Sequence, residues 1–107
     1  MKQRADRVNS LIQEELSKII LREVDLPGTL ATITGVEVDS KMAIAIVRIS
    51  FYPSEKAAES LKKINSRHSY LQHLLNQKLH IKPMPRIILE IDHGPENLAE
   101  VEKILGQ

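Results

Sequence analysis

The residues that could support acid–base or metal chemistry in this chain are few and poorly spaced. The four histidines are His68, His73, His80 and His93, and no two of them stand three or four residues apart, so a helical pair of metal ligands is absent. Asp92 precedes His93, but neighbouring side chains at the end of a strand point apart, and no nucleophile motif accompanies them. The four glycines, at positions 28, 35, 94 and 106, cannot form a phosphate-binding loop. We therefore expect no enzyme activity, no metal site and no cofactor.

Positive charge is the stronger chemical signal, and it is concentrated in residues 61–86. This segment carries six Lys/Arg and no Asp/Glu, whereas residues 1–60 carry eight against nine and residues 87–107 carry one against five. The net charge of +1 therefore hides a basic segment in a nearly neutral chain. Such a segment is typical of a surface that meets a polyanion. A solvated helix face without a partner is the alternative.

Two arginines near the N-terminus join this segment as candidate RNA-binding residues. Arg4 and Arg7 lie three apart at the start of a predicted helix, where the helix dipole disfavours cations, so helix stability does not explain them. The chain has one Phe, two Tyr and no Trp, which favours contacts with phosphates over a platform for stacked bases. The predicted RNA-binding residues are Arg4, Arg7, Lys62, Lys63, Arg67, His68, Lys78, Lys82 and Arg86.

The first half of the chain reads as a helix followed by a β-hairpin. Apolar residues recur at helical spacing over about residues 3–22, and this stripe predicts an amphipathic helix. Residues 32–38 are rich in β-branched residues, and residues 42–51 carry apolar side chains at every second position. A plausible turn lies between the two segments, which predicts two paired strands. Gly35 suggests a bulge or a close backbone approach in the first of them. One face of the second strand is buried throughout and the other only in part, as when helices cover a single side of a small sheet.

The second half returns to helical spacing and ends with a third strand. Ser54 is a natural N-cap for the next helix, and the weak helix formers of residues 65–69 predict a break between two helices. Alternating apolar residues predict a strand over residues 86–92. After Gly94, a short amphipathic helix is predicted from its inward-facing apolar residues, Leu98, Val101, Ile104 and Leu105.

Length and composition predict one domain over residues 1–107. The hydrophobic fraction of 42% and the charged fraction of 27% are ordinary for a globular protein. The N-terminus is polar, without an apolar segment of the length that a secretory signal requires, and the chain has no cysteine. Both observations favour a cytoplasmic protein.

Several segments, taken in order, resemble the ribosome-binding factor A family of bacterial ribosome assembly factors. The opening helix of that family is similar to RADRVNSLIQEELSKIILREV, which begins at Arg4. Its two paired strands are similar to TITGVEV and MAIAIVRISFYP. Its last helix and strand are similar to SYLQHLLNQKLHIKPMPRIILEID, which ends at Asp92. The likeness covers roughly residues 4–92.

The resemblance implies an α+β fold of the type II KH-like class, in the order α-β-β-α-kink-α-β with a short C-terminal helix. Its helices pack on one face of a three-stranded mixed sheet. The resemblance also implies binding to the small (30S) ribosomal subunit and its 16S ribosomal RNA during late maturation, processing of the 5′ end of that RNA, and adaptation to cold. We expect a monomer, with assembly GTPases as further partners.

The junction between the two central helices departs from the family pattern. Ordinary KH domains clamp the nucleic-acid backbone with a GXXG loop at this place, and the family has an Ala-x-Gly kink instead. The matching positions here are Arg67, His68 and Ser69. The small residues are lost, and charge is gained where RNA could approach.

Two other classes of function remain open at this point. The first is a generic KH-like module that binds RNA or DNA without a ribosome, which tight binding of a free single-stranded oligonucleotide would favour. The second is a protein interaction domain whose basic face binds an acidic partner or the acidic C-terminal helix of another copy. A tight dimer that buries residues 61–86 would favour it.

Overall fold

The computed structural model describes residues 2–94, which form three α-helices and three β-strands. In chain order the elements are α1 (Lys2–Glu23), β1 (Leu30–Val38), β2 (Ile44–Tyr52), a 3-10 turn (Ser54–Lys56), α2 (Ala57–Asn65), α3 (His68–Lys78) and β3 (Arg86–Ile91). This order confirms the predicted α-β-β-α-α-β arrangement, with the helix break near residue 66. The short helix predicted after Gly94 lies outside the described residues.

The strands form one mixed sheet in the order β1-β2-β3. β1 and β2 are antiparallel, whereas β3 returns parallel to β2, with Arg86 opposite Ile44. The register of β1 shifts between Ile33 and Gly35, so that Thr34 is an extra residue in this strand. The bulge suggested at Gly35 is thus confirmed.

The helices cover one face of the sheet, as the alternation along β2 predicts. Ala45, Val47 and Ile49 are fully buried, while the residues between them are only half-buried. From α1, Ile12 and Leu16 are fully buried against this face. The other face of the sheet is left open by the described residues.

A tight turn joins α1 to the sheet. Thr29 N–H donates to the Leu26 carbonyl at 3.0 Å, and Gly28 has a φ of +70°. Pro27 followed by a residue with positive φ is the pattern of a type II turn, which glycine adopts without strain. The turn returns the chain along α1 and places the start of β1 beside the end of the helix.

The prediction that Ser54 caps α2 is wrong. Ser54 lies in the 3-10 turn, α2 begins at Ala57, and Ser54 makes no side-chain cap hydrogen bond. Lys56 N–H donates to the Pro53 carbonyl at 3.1 Å, and Ala57 N–H donates to the Ser54 carbonyl. Because backbone carbonyls of this extra turn accept from the N–H groups of Lys56 and Ala57, the Ser54 hydroxyl is not needed to cap them.

Side chains from α1 close much of the outer edge of β1. Gln13 Nε2 donates to the Ile33 carbonyl at 3.1 Å, and Asn9 Oδ1 accepts from the Val38 N–H at 3.0 Å. The two amide side chains lie four residues apart, on one side of the helix. They satisfy strand groups that would otherwise be exposed at an edge, and they fix α1 along β1.

Side chains from α3 likewise bond to backbone groups along the outer edge of β3. Gln72 Oε1 accepts from the Ile87 N–H at 2.8 Å, and Gln72 Nε2 donates to the Pro85 carbonyl at 3.2 Å. His68 Nε2 lies 2.6 Å from the Ile87 carbonyl oxygen. A carbonyl can only accept, so this nitrogen carries the proton. The pair again lies four residues apart and fixes α3 along the edge of the sheet.

Candidate nucleic-acid interface

Helices α1 and α3 lie side by side and run in opposite directions. At one end, Arg4 Nη2 donates to the Lys82 carbonyl, just beyond α3, at 3.3 Å. At the other end, the Arg67 guanidinium, just before α3, donates to the Glu23 carbonyl. With 22 residues, α1 is about 33 Å long. Cations at its two ends therefore cannot contact the same phosphate.

A group of cations, which we call the N-terminal cradle, lies at the start of α1. Arg4, Arg7, His80 and Lys82 surround an open depression of about 590 Å³, whose base includes Val8. Arg4, Arg7 and Lys82 were all predicted as binding residues, and the fold brings them together from opposite ends of the sequence. Because no carboxylate of residues 2–94 lies within 4.0 Å of these three cations, their charge is available to an anion.

Toward the C-terminal end of α1, a groove of about 410 Å³ lies between α1 and α3. Its lining includes Lys18, Arg22 and Lys78. Lys18 pairs with Glu14 at 3.5 Å and Glu15 at 3.7 Å, and Arg22 pairs with Glu23 at 2.9 Å. Lys78 has no such partner among the described residues. Only Lys78 therefore adds unneutralised charge to the middle of this surface.

The sequence interpretation missed Lys18, Arg22 and His80 as neighbours of the predicted residues. Lys18 and Arg22 lie 11 and 15 residues after Arg7, close to whole numbers of helical turns, so they share its side of α1. That spacing could have been noticed. Their position opposite Lys78 depends on the antiparallel packing of α3, which no local pattern reveals.

The cations near the junction of α2 and α3 bind the end of α1. Lys63 Nζ donates to the Asp25 carbonyl, and Arg67 donates to the Glu23 carbonyl. The last carbonyls of a helix lack intrahelical partners and carry its negative dipole end. The Arg67 guanidinium also lies over the ring of Tyr70, 4.9 Å from its centre. Lys63 and Arg67 thus have structural contacts, while Lys62 is exposed on α2 without a described partner.

We expect Arg67→Glu to lower the free energy of unfolding by about 1–2 kcal/mol, as measured by urea denaturation. The variant loses the hydrogen bond to the Glu23 carbonyl and places a negative charge at the negative end of α1. Lys41→Glu is the matched control, because it makes the same charge change on an exposed residue outside the helices, and it should alter stability by less than about 0.5 kcal/mol. Equal losses in the two variants would contradict this assignment.

Two predicted binding residues lie apart from the helical surface. His68 is half-buried, and its Nε2 is bound to the Ile87 carbonyl. Arg86 lies opposite Ile44 on the open face of the sheet, because the next residue, Ile87, is buried under the helices. The nine predicted residues therefore do not form one patch.

The open face of the sheet is balanced in charge. The Arg48 side chain lies between two carboxylates on this face. Its Nη1 is 3.7 Å from Glu37 Oε2, and its Nε is 3.4 Å from Glu90 Oε1. The Asp92 carboxylate accepts from the Thr34 hydroxyl at 2.5 Å and from the Gly94 N–H at 2.8 Å. The hydrogen bond from Thr34, followed by that from Gly94, lowers the pKa of Asp92 below its usual value. Because this face carries three carboxylates against the two cations Arg48 and Arg86, it is a poor match for a polyanion.

Within residues 2–94, no group of three or more histidine or acidic side chains is placed to hold a metal ion. None of the helices there is both long and apolar enough to cross a membrane.

Comparisons with known proteins agree with this fold. A family model described as "Ribosome-binding factor A" matches residues 4–105. A protein of that name from Caldanaerobacter subterraneus is 32% identical, with 100% of this chain and 90% of that protein covered. One from Akkermansia muciniphila is 27% identical, with 98% and 84% covered. The crystal structure of ribosome-binding factor A from Thermus thermophilus has a TM-score of 0.68 at 16% identity, over 81% of this chain and 94% of that one.

Proposed function

Because this chain belongs to the ribosome-binding factor A family, we propose that it binds the small ribosomal subunit through its 16S ribosomal RNA during late maturation. In this proposal it is a non-catalytic assembly factor that assists processing of the 5′ end of the RNA. It acts as a monomer in the cytoplasm, next to assembly GTPases, and matters most in the cold.

The observation that carries this proposal is the unneutralised charge along α1 and α3. Arg4, Arg7 and Lys82 form the N-terminal cradle with His80, and Lys78 lies further along the same surface. Cations without carboxylate partners gain most from contact with phosphates, because binding releases the counterions of the RNA. Lys62, on α2, extends the positive charge toward the helix junction.

The expected mode of recognition is contact with phosphates and helical shape. Phe51 is buried in the core, and Tyr70 lies beneath the Arg67 guanidinium. The exposed Tyr52 lies at the end of β2, outside the surface formed by α1 and α3. Without a row of aromatic side chains, single-stranded bases have no platform on which to stack. Folded RNA is therefore expected to bind more tightly than single-stranded RNA.

Sedimentation in a sucrose gradient tests the proposal directly. The full chain should co-sediment with free small subunits and much less with assembled ribosomes. It should also bind a free single-stranded oligonucleotide more weakly than it binds the subunit. Equal binding to the oligonucleotide would favour a generic nucleic-acid-binding module, and no binding to subunits would overturn the proposal.

The affinity for small subunits should fall steeply as salt is added. If Arg4, Arg7, Lys62, Lys78 and Lys82 contact phosphates, the slope of log affinity against log salt should be about −4 to −5. Filter binding between low and physiological salt measures this slope. A slope shallower than about −1 would show that the five cations do not bind phosphates together.

A further inference from the structure

A second surface, chemically unlike the first, lies on the other flank of α1. There, a groove of about 440 Å³ runs between the end of α1 and the start of β1. Ile20 and Val24 form part of its floor. The side chains of Leu21 and Leu30 border it and are 84% and 63% exposed, and Tyr52, which pairs with Leu30 across the hairpin, is 77% exposed. Exposed apolar side chains grouped in this way mark an interaction surface.

The backbone of β1 offers unpaired hydrogen-bonding groups to this groove. The Ile49 carbonyl accepts from Asp92 N–H on the β3 side, so its antiparallel partner Ile33 turns its own groups away from β2. The bond from Gln13 to the Ile33 carbonyl agrees with this orientation. Ala31 lies two residues earlier and has the same orientation. No described group bonds to its N–H or carbonyl.

The free stretch of edge is short, which limits what can pair with it. Gln13 already occupies the Ile33 carbonyl, and Asn9 occupies the Val38 N–H. Beside the groove, the available groups are therefore the N–H and carbonyl of Ala31 and the N–H of Ile33. They match about two to three residues of an extended chain, so the remaining binding energy must come from the apolar residues of the groove.

The charge of the groove selects a polypeptide over RNA. Among the described residues that line it, Asp25 is the one ionisable side chain, so the lining has no cation for a phosphate. Apolar side chains fit beside Leu21 on one side of the edge and beside Leu30 on the other, and a positively charged one complements Asp25. The extended backbone of the same segment supplies the donors and acceptors that the edge lacks.

We propose that this groove binds an extended polypeptide segment, which adds a strand to the edge of β1 at Ala31. The segment packs one apolar side chain against Leu21 on the helix side of the edge and another against Leu30 on its open side, and it places a lysine or arginine near Asp25. This site is separate from the N-terminal cradle, and it does not depend on whether that surface binds RNA.

The test is a titration of the full chain, labelled with nitrogen-15, with a short synthetic peptide of alternating valine and threonine that carries a lysine at each end. We expect saturable chemical-shift changes at the amides of Ala31 and Ile33. Leu21→Gln should weaken binding about tenfold, because an exposed apolar contact is lost without a change of charge. Ile88→Gln, the same kind of change on the open face of the sheet, is the matched control and should bind as the wild type does.

Two further measurements distinguish strand addition from non-specific hydrophobic binding. A peptide methylated on every backbone nitrogen should not bind, because neither of its edges can donate to the Ala31 carbonyl. Ala31→Pro removes one of the two free edge donors and places its ring against the added strand, so it should also abolish binding. If that variant does not fold, Leu21→Gln still decides the question.

Several results would overturn the proposal. They are the absence of saturable shifts, equal binding of the methylated peptide, and equal affinity of the Leu21→Gln and wild-type chains. Sedimentation equilibrium tests whether a second copy of this chain occupies the groove. A dimer that dissociates in Leu21→Gln, with no peptide binding in either chain, would assign the groove to a second copy of this chain instead.

Discussion

Reversing the charge of Arg7 and Lys82 together, as Arg7→Glu with Lys82→Glu, is expected to lower the affinity for small ribosomal subunits about 100-fold at physiological salt. Both residues belong to the N-terminal cradle and have no carboxylate partner within residues 2–94. The change removes two of the proposed phosphate contacts and adds repulsion at the same place. Filter binding measures the affinity, and the salt slope should become shallower by about two units.

The matched control places the same change of charge elsewhere on the surface. Lys41→Glu with Lys56→Glu alters two lysines that do not belong to α1 or α3 and make no ion pair among the described residues. This variant should keep most of the affinity and nearly the full salt slope. If both double variants lost affinity equally, overall charge would be responsible, and the cradle would not be the binding site. Urea denaturation of both variants checks that neither result comes from unfolding.

The elements of this fold were predictable because their patterns are local. The stripe through Ile12 and Leu16 in α1 and the alternation through Val47 and Ile49 in β2 each depend on residues that are close in sequence. The bulge near Gly35 and the break before His68 were predictable for the same reason, since both depend on residues that suit neither a regular strand nor a continuous helix.

The arrangement of charge was not predictable in the same way. The sequence interpretation grouped cations because they are close in the chain, and it therefore placed Arg67 and Arg86 in one patch. In the structure, Arg67 binds the end of α1 and Arg86 lies on the opposite face of the sheet. The contacts that decide these roles join residues far apart in sequence, such as Arg67 with Glu23 and Arg4 with Lys82.

The same long-range contacts place the helices relative to the sheet. Asn9 and Gln13 bind one edge of the sheet, while His68 and Gln72 bind the other. Each pair consists of polar residues four apart, which sequence inspection treats as surface. Because α1 and α3 are both fixed in this way, the two sheet edges set the distance between the helices and hence the geometry of the cradle.

Gln72→Leu is therefore expected to lower the free energy of unfolding by about 2–3 kcal/mol. The leucine nearly preserves the volume of the side chain, but it leaves the Ile87 N–H and the Pro85 carbonyl without their partner. Ile87 and Pro85 are almost completely buried, so water replaces the lost bonds poorly. In urea denaturation, the midpoint should fall while the slope of the transition stays unchanged.

Gln77→Leu is the control, because it makes the same substitution at an exposed position of α3 and should change stability by less than about 0.5 kcal/mol. Gln72→Glu separates the two bonds, since a carboxylate still accepts from Ile87 N–H but cannot donate to the Pro85 carbonyl. Its loss should lie between those of Gln77→Leu and Gln72→Leu. If Gln72→Leu were as stable as the wild type, the edge of β3 would not need α3. The position of Lys78 and Lys82 would then have to be explained by the apolar packing of α3 against α1 alone.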